Sequence, residues 1–403
     1  MKLSRNFLYV TFADLLARSA YQTGKIPLLP IFAAALGATD AFLGIIVSVS
    51  TLTGMIFKPF IGMLSDRWGR RRWLIAGTAF FAIMPFFYQL VQTPNQLFWI
   101  RIIHGTATAI YGPVTLAYVT EQTGKRKAEG VGWFGMARSA GYIIGPAAAG
   151  YLLLTMDPAD VFTIIGVVSI VAFLPILLLT EPETVAQRKR PPLLTQIKNA
   201  FKSGGRTPAV WLSGGLEAFA FIALYAVKTF LPIYALSVGF NTAIVGLFFA
   251  LQEAVNMLLK PFGGRWGDRW GYRKAIAAGM MLLGVALPLL PEANMVITLL
   301  GVTILLGAAQ AIIFPATVAL VSAQIDAENL GAGMGIIGTM RNAGKVAGPI
   351  LGGLLIAQFD FQMTFQLLGG LLIIGAFVIW LGRKRPLSTL NTSYSSSSLQ
   401  SGD

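Results

Sequence analysis

Residues 58–72 read KPFIGMLSDRWGRRR, and residues 260–274 read KPFGGRWGDRWGYRK. The two stretches are identical at nine of fifteen positions and lie 202 residues apart (260 − 58) in a chain of 403. Each follows a long apolar block and ends among basic residues. A charged segment that recurs after half the chain indicates two similar halves, an organisation found in secondary transporters.

The composition is that of a membrane protein. Hydrophobic residues make up 55% of the chain and charged residues 12%, about half the charged share of a soluble domain. Apolar blocks such as 42–57, 73–91 and 161–180 approach the roughly 20 residues that a helix needs to cross a bilayer. Twelve such blocks can be counted, six before residue 183 and six after residue 207. We therefore predict an all-α membrane protein with twelve transmembrane helices in two pseudo-symmetric six-helix bundles.

Several classes of protein are excluded. The first apolar block contains Asp14, Arg18 and Lys25, so it is not a secretory signal. The chain has no cysteine and a single histidine, which excludes thiol-ligated metal and a histidine metal cluster. Neither a nucleophile–base set nor paired acids with a metal cluster is visible, so we expect no enzyme activity, no metal and no cofactor.

The basic residues mark the topology. Of the 31 Lys and Arg residues, 22 lie at the N-terminus, between blocks 2–3, 4–5, 6–7 and 8–9, or after block 12, and none lies in the alternate loops. An excess of basic residues on alternate loops is the positive-inside rule. We expect a multi-pass protein of the inner (plasma) membrane with both termini cytoplasmic. The net charge of +14 then faces anionic membrane lipids, not nucleic acid.

Four segments are predicted along the chain. Residues 1–183 form the N-terminal bundle, 184–207 a cytoplasmic linker, 208–385 the C-terminal bundle and 386–403 a disordered, Ser-rich cytoplasmic tail. Within the linker, LLTQIKNAFK can form a short amphipathic helix on the inner leaflet. We expect a monomer.

The two charged stretches resemble the loop 2–3 signature of the major facilitator superfamily and its second copy, and the resemblance covers nearly the whole chain. It implies a cytoplasmic latch that stabilises one access state. Glycines here permit close helix approach, and the aspartates can face a helix N-terminus or pair with arginine. A plain topology anchor is the alternative. The latch residues are Gly62, Asp66, Arg67, Gly69, Arg70, Gly264, Asp268, Arg269 and Gly271.

A second resemblance lies in block 4, where Leu97-xxx-Arg101-xx-His104-Gly105 is similar to the helix-4 signature of the same family. That resemblance implies a role for Arg101 in proton coupling, with His104 in place of the usual Gln. A buried arginine costs about 3 kcal/mol or more unless it is paired or hydrated. Snorkelling to the outer surface is the alternative for Arg101. His104 can form a structural hydrogen bond or titrate near neutral pH.

Blocks 5 and 11 carry Gly-x8-Gly-xxx-Gly-Pro patterns that begin at Gly132 and Gly335 and resemble the family's antiporter signature. Ala149 replaces one glycine in the first copy. The resemblance implies export, although small residues at these spacings also simply pack helices. Proline bends such helices. The antiporter-like residues are Gly141, Gly145, Pro146, Gly344, Gly348 and Pro349.

Ionisable residues at membrane depth are functional candidates. The proton-coupling candidates are Glu217, Asp14, Glu253 and Arg101. Glu217 ranks first because its own helix has no basic residue one turn away, whereas Asp14 can pair permanently with Arg18. Seven deep cations against three deep carboxylates predict a cationic cavity that favours an anionic or zwitterionic solute. The substrate-binding candidates are Arg18, Tyr21, Gln22, Lys25, Arg138, Tyr225, Lys228, Arg341 and Lys345.

These observations predict a secondary active transporter that works by alternating access, as a proton-coupled exporter of small organic solutes or drugs. Its partners would be a small organic solute, protons and membrane lipids. A lipid or lipid-linked sugar flippase, and an importer or uniporter of organic anions, remain as alternatives. A non-transporting sensor would bind a solute without moving it.

Overall fold

The structure is a computed structural model that describes residues 4–123, 127–181, 195, 198 and 202–382. In these ranges the regular structure is helical. The helices are α1 (Arg5–Thr23, continued by Gly24–Leu28 and Leu29–Ala35), α2 (Asp40–Trp68), α3 (Arg70–Ile83, continued by Met84–Leu90), α4 (Pro94–Gln122), α5 (Lys127–Leu152), α6 (Pro158–Leu177), α7 (Pro208–Ser237), α8 (Thr242–Trp270), α9 (Tyr272–Leu289), α10 (Val296–Ser322), α11 (Ala327–Gln358) and α12 (Phe361–Leu381).

The described helices agree with the predicted twelve crossings in number and order. By length and composition, eight of them are apolar enough to span a membrane, namely α2, α3, α6, α7, α8, α9, α10 and α12. The remaining four, α1, α4, α5 and α11, carry most of the deep charges. The predicted amphipathic helix in the linker falls almost entirely outside the described residues, as does the predicted tail.

The same turn joins α2 to α3 and α8 to α9. Its central residues, Gly69 and Gly271, have φ angles of 88° and 93°, and glycine adopts such angles at far lower cost than other residues. The charged repeats therefore form equivalent corners of the two halves. We call the end of the bundle that carries these corners the basic end, and the end that carries the α1–α2 and α7–α8 turns the opposite end.

Helix α1 is broken in its middle. Ile26, at φ −145° and ψ 121°, is non-helical, as expected for a residue that precedes proline, here Pro27. The break places Lys25 at a buried position, 8% exposed, between regular stretches of helix.

The two halves meet through α2 with α11 and through α5 with α8. Ser48 Oγ donates to the Val346 carbonyl at 2.7 Å, and Thr242 Oγ1 donates to the Gly150 carbonyl at 2.9 Å. A Cβ added to Gly44 would lie 3.2 Å from the Ile350 Cα, so the backbones approach closely as in other small-residue helix contacts. These contacts hold the halves together at the opposite end.

Toward the basic end the same helices are open. A Cβ added to Gly62 of α2, Gly135 of α5, or Gly335 and Gly338 of α11 would meet nothing within 4 Å. The close helix approach expected at Gly62 is therefore not made in this structure. Among the described residues, the halves are thus joined at the opposite end and make no close contact at these four glycines toward the basic end.

Candidate functional site

A buried ion pair joins α1 to α5 in the first half. Asp14 is 1% exposed, and its carboxylate accepts from Arg138 Nε at 2.9 Å and from Arg138 Nη2 at 2.8 Å. Arg138 also donates to Thr115 Oγ1 of α4 at 3.0 Å. Such two-point contacts are the strong form of an arginine–carboxylate interaction.

The second half repeats this arrangement between α7 and α11. Glu217 is 0% exposed and accepts from Arg341 Nε at 2.6 Å and from Thr317 Oγ1 of α10 at 2.6 Å. In each half the arginine follows the acid by 124 residues (138 − 14 and 341 − 217). The two pairs are pseudo-symmetric ties between the first and fifth helices of their halves.

The pairing corrects two details of the sequence interpretation. The principal partner of Asp14 is Arg138 on another helix, whereas Arg18 lies farther away at 3.7 Å. Glu217 has no basic neighbour on its own helix but is fully paired across helices with Arg341. The absence of a basic residue one turn away therefore does not leave Glu217 unpaired, and it does not distinguish Glu217 from Asp14.

Three lysines from both halves surround one tyrosine, and we call them the lysine cluster. The Nζ atoms of Lys25, Lys228 and Lys345 lie 5.2, 5.4 and 5.7 Å from the ring centre of Tyr225. These distances fit cation–π contacts. Lys345 also lies 4.7 Å from the ring centre of Phe221. In the described part of the chain, no carboxylate lies within 4.0 Å of any of the three ammonium groups.

The third deep carboxylate, Glu253 on α8, differs from the other two. Its side chain is partly exposed and accepts one hydrogen bond, from Asn256 Nδ2 at 3.2 Å. Among the described residues no Lys or Arg lies within 4.0 Å of it. It is close enough for a Coulomb interaction with Lys228 and with Tyr225. Glu253 therefore adjoins the lysine cluster without an ion pair.

Arg101 and His104 belong to a polar network buried within the first half. Arg101 is 1% exposed and donates to the hydroxyls of Tyr88, at 3.4 Å, and of Ser50. His104 Nδ1 shares a 3.0 Å hydrogen bond with the Tyr88 hydroxyl. Arg101 thus stays inside the protein instead of snorkelling, and His104 makes the structural hydrogen bond considered from the sequence.

Tyr21 and Gln22, two of the substrate-binding candidates, are buried on α1. The antiporter-like glycines of α5 pack beside α1, and those of α11 pack beside α7. A Cβ at Gly145 would lie 2.9 Å from the Ser19 carbonyl oxygen, and a Cβ at Gly344 would lie 2.8 Å from the Ala218 Cα. Gly141 and Gly348 make equivalent approaches. Pro146 and Pro349 lie where these helices reach the other half, against Gly246 and Gly44. The motif therefore packs helices both inside each half and between the halves.

The latch residues form an ionic network at the basic end of the first half. Arg70 pairs with Asp66 at 2.8 Å and with Glu121 at 2.6 Å. Glu181 accepts from the backbone N–H groups of Arg70 and Arg71 at 2.5 and 3.0 Å, where a carboxylate favours a helix N-terminus.

Glu121, in the last turn of α4, and Glu181, which follows α6, were missed from the sequence because both lie far along the chain from Arg70. In the second half, Asp268 accepts from the Tyr272 hydroxyl at 3.0 Å. A Cβ at Gly264 would approach only Pro315, at 4.0 Å. Arg67 and Arg269 are exposed.

Within the described ranges, no group of three or more His, Cys, Asp or Glu side chains is arranged to hold a metal ion. The charges described above can bind charged solutes and exchange protons.

Two helical halves that close around deep charges define the class of multi-pass membrane transporters. The model of the Major Facilitator Superfamily matches residues 10–258 and 218–399, so the chain belongs to that superfamily. Members of this family are transporters, and the chain is accordingly a transporter and not an enzyme.

The chain is 26% identical over 377 residues to the uncharacterized MFS-type transporter YuxJ of Bacillus subtilis, covering 91% of this chain and 95% of that protein. It is 23% identical over 376 residues to Multidrug resistance protein 2 of Bacillus subtilis, covering 91% and 93%. The crystal structure of the nucleoside transporter NupG (D323A mutant) superposes with a TM-score of 0.80 at 14% identity, covering 93% of this chain and 98% of that chain. The structural likeness shows the shared fold alone.

Proposed function

We propose that the chain is a proton-coupled antiporter that exports a small organic solute, with an anionic or zwitterionic solute favoured. The observation that carries this proposal is the lysine cluster, which joins cations from both halves without a carboxylate partner within 4.0 Å in the described part of the chain. Lys25 is buried, and Lys228 and Lys345 are partly buried. Unpaired cations at membrane depth are costly, so a ligand anion that neutralises them would bind strongly.

Alternating access supplies the transport step. The halves, proposed as residues 1–183 and 208–385 joined by the linker 184–207, would rock about the cluster in a monomer. With the basic end placed in the cytoplasm of a plasma-membrane protein, the described conformation opens inward. A solute would bind from the cytoplasm, and rocking would then open the opposite end. Transport requires only that the ligands differ in their affinity for the two states.

Proton coupling is assigned to the deep carboxylates Asp14, Glu217 and Glu253, with Arg101 as a supporting cation. A proton that enters from outside would neutralise a carboxylate and alter its interaction with neighbouring cations. The antiport direction is supported by the antiporter-like motif and by the resemblance to a relative named for multidrug resistance.

One observation favours a second candidate, an importer that takes up an organic anion together with a proton. Arg341 is held by Glu217 at 2.6 Å. Protonation of Glu217 would release Arg341, and the freed cation would then attract a solute anion. Proton and anion would bind together in that case, which is the thermodynamic sign of symport.

Proteoliposomes that hold a pH gradient distinguish these candidates. Purified protein is challenged with matched cationic, zwitterionic and anionic solutes while internal pH and solute content are both recorded. Antiport predicts that solute and protons move in opposite directions, whereas symport predicts the same direction. Solute movement without any proton flux would refute proton coupling altogether.

A further inference from the structure

We propose that the solute is dipolar, with its anionic group bound by the lysine cluster and a protonated amine bound by Glu253, where a proton competes with that amine. This inference rests on the proposed antiport and names the class of solute for the same site. It also assigns different chemical tasks to Glu253 and to the two buried acids.

The first step concerns the anionic half of the solute. Lys25, Lys228 and Lys345 converge on Tyr225 from α1, α7 and α11. Lys345 additionally lies within Coulomb range of Lys25 and Lys228. Three mutually repelling ammonium groups on one aromatic ring form a site that an added carboxylate or phosphate would stabilise.

The second step concerns the carboxylate that remains available. Asp14 and Glu217 are 1% and 0% exposed, and arginines hold them at 2.6–2.9 Å. Glu253 alone among the three described deep carboxylates is partly exposed and lacks an ion pair within 4.0 Å. A solute cation can therefore reach Glu253 without breaking an existing salt bridge.

Pseudo-symmetry shows which residue of the first half occupies the position equivalent to Glu253. Glu253 corresponds to Thr51 in the first half, at the offset of 202 residues, and Thr51 Oγ1 lies 3.5 Å from Lys25 Nζ. Lys228 corresponds to Lys25 at an offset of 203. One half thus offers a lysine beside a hydroxyl, while the other offers a lysine beside a carboxylate. The site is consequently polarised, with negative charge on the α8 side.

The third step concerns whether protonation of Glu253 strengthens or weakens binding of the solute. A purely anionic solute would bind more tightly when Glu253 is protonated, because the local charge becomes more positive, and this favours symport. A solute amine on Glu253 has the opposite dependence, because the amine and the proton need the same carboxylate. Antiport therefore requires a solute amine that competes with the proton for Glu253, and the three unpaired lysines require a solute anion. A single solute that carries both charges meets both requirements.

The surroundings of Glu253 contain few groups that could take over this role. The ionisable residues of the helices packed against α8 are Glu217, Tyr225, Lys228 and Tyr234 of α7, Lys25 in the break of α1, Tyr142 and Tyr151 of α5 and Tyr272–Lys274 at the first turn of α9; α10 has none, and the charges of α5 nearer the basic end are Lys127, Glu129 and Arg138. Of the two carboxylates among them, Glu217 is already paired with Arg341 at 2.6 Å, and Glu129 lies in the first turn of α5, at the basic end. Phe221 stacks on Phe314 with ring centres 4.6 Å apart and offers an apolar wall for the body of the solute.

The test uses three probes on one scaffold: phenylalanine, N-acetylphenylalanine and phenylalanine methyl ester. Their binding to the purified full chain is measured by calorimetry in detergent. We expect the wild type to bind the zwitterion at least about ten-fold more tightly than either singly charged probe, since each charged contact contributes about that factor. Proton flux in proteoliposomes is recorded for the same probes.

Two variants separate the two contacts. Glu253→Gln should weaken binding of the zwitterion about ten-fold. It should leave binding of the N-acetyl anion unchanged or tighter, because a negative charge is removed from the site. Lys345→Met should weaken binding of both of these probes and spare the ester. Exposed matched controls are Glu292→Gln and Lys274→Met, which should leave all three affinities unchanged. Monodisperse elution of each variant shows that it folds.

Equal affinity for the zwitterion and a singly charged probe would overturn the proposal, as would an unchanged preference in Glu253→Gln or failure of all three probes to bind. If proton-coupled export is driven by solutes of one charge only, the dipolar assignment fails while the proposed antiport stands. If no solute of the broader panel moves protons, the proposed function itself fails.

Discussion

Replacing Arg341 with methionine leaves Glu217 without its ion-pair partner at a position where the carboxylate is 0% exposed. Breaking a buried ion pair by removing one partner costs about 3–5 kcal/mol. Arg341 itself is 32% exposed, so water screens part of the interaction and we expect a loss near the lower limit, about 3 kcal/mol.

The reverse substitution, Glu217→Gln, is milder. The amide oxygen can still accept from Thr317 Oγ1, now 2.6 Å from the carboxylate, and the arginine retains access to water. We expect a loss of about 1.5 kcal/mol, typical of a weakened hydrogen bond to a charged group. The double variant has neither buried charge uncompensated and should lose about 2.5 kcal/mol, which gives a coupling energy of about 2 kcal/mol.

The free energies are measured by reversible unfolding in mixed micelles that contain a denaturing detergent. Glu292→Gln, an exposed carboxylate change of the same chemistry, serves as the control and should stay within about 0.5 kcal/mol of wild type. Additivity of the two single losses to within about 0.5 kcal/mol would show that Glu217 and Arg341 do not stabilise one another, and the argument from their geometry would be refuted.

Three further predictions concern the Asp14 ion pair, the turn at Gly271 and the contact of Ser48 with Val346. Arg138→Met should lower the free energy of unfolding by about 1 kcal/mol less than Arg341→Met does in the same assay, because Arg18 Nη2 already lies 3.7 Å from Asp14 and can replace the lost partner. An equal or larger loss of stability would show that Arg18 does not compensate. Gly271→Ala should lower stability by about 1–2 kcal/mol through backbone strain alone, since φ is 93° and a Cβ would meet nothing within 4 Å; Gly264→Ala is the control at a helical glycine, and equal losses would contradict the strain argument. A short reducible thiol cross-link between Ser48→Cys and Val346→Cys should stop transport, and reduction should restore it. The reason is that Ser48 Oγ lies 2.7 Å from the Val346 carbonyl in the closed opposite end. Transport that continues in the cross-linked protein would show that this contact need not open.

The architecture could be predicted from the sequence because it depends on features that repeat. Apolar blocks, basic loops and the copies at 58–72 and 260–274 each report a property of one segment, and membrane insertion acts on segments. The turns at Gly69 and Gly271 could be predicted in the same way, because both copies place glycine between a basic helix end and the next helix.

The residues of the candidate site could be named from the sequence, but their ion pairs could not. Asp14, Glu217 and the arginines were all identified, yet their ion pairs join residues 124 positions apart, which helical spacing within one segment cannot show. The equal separation in the two halves was the available clue. Lys25 reaches the cluster through the break before Pro27, and Glu253 is distinguished by its partial exposure and by the absence of an ion pair among the described residues. Both facts depend on tertiary packing.

The central claim is that the two ends open reciprocally under the control of solute and protons. Because the natural chain has no cysteine, spin labels can be attached at Arg72→Cys with Lys274→Cys for the basic end, and at Thr39→Cys with Ser237→Cys for the opposite end, all at exposed positions. Pulsed electron–electron double resonance then measures each distance in nanodiscs at several pH values, with and without a transported solute.

The account predicts that any condition that shortens the basic-end distance lengthens the opposite-end distance, and that protons and solute shift this balance in opposite senses. Distances that stay fixed, or that lengthen together at both ends, would contradict alternating access. Protons and solute that shift the balance in the same sense would contradict antiport.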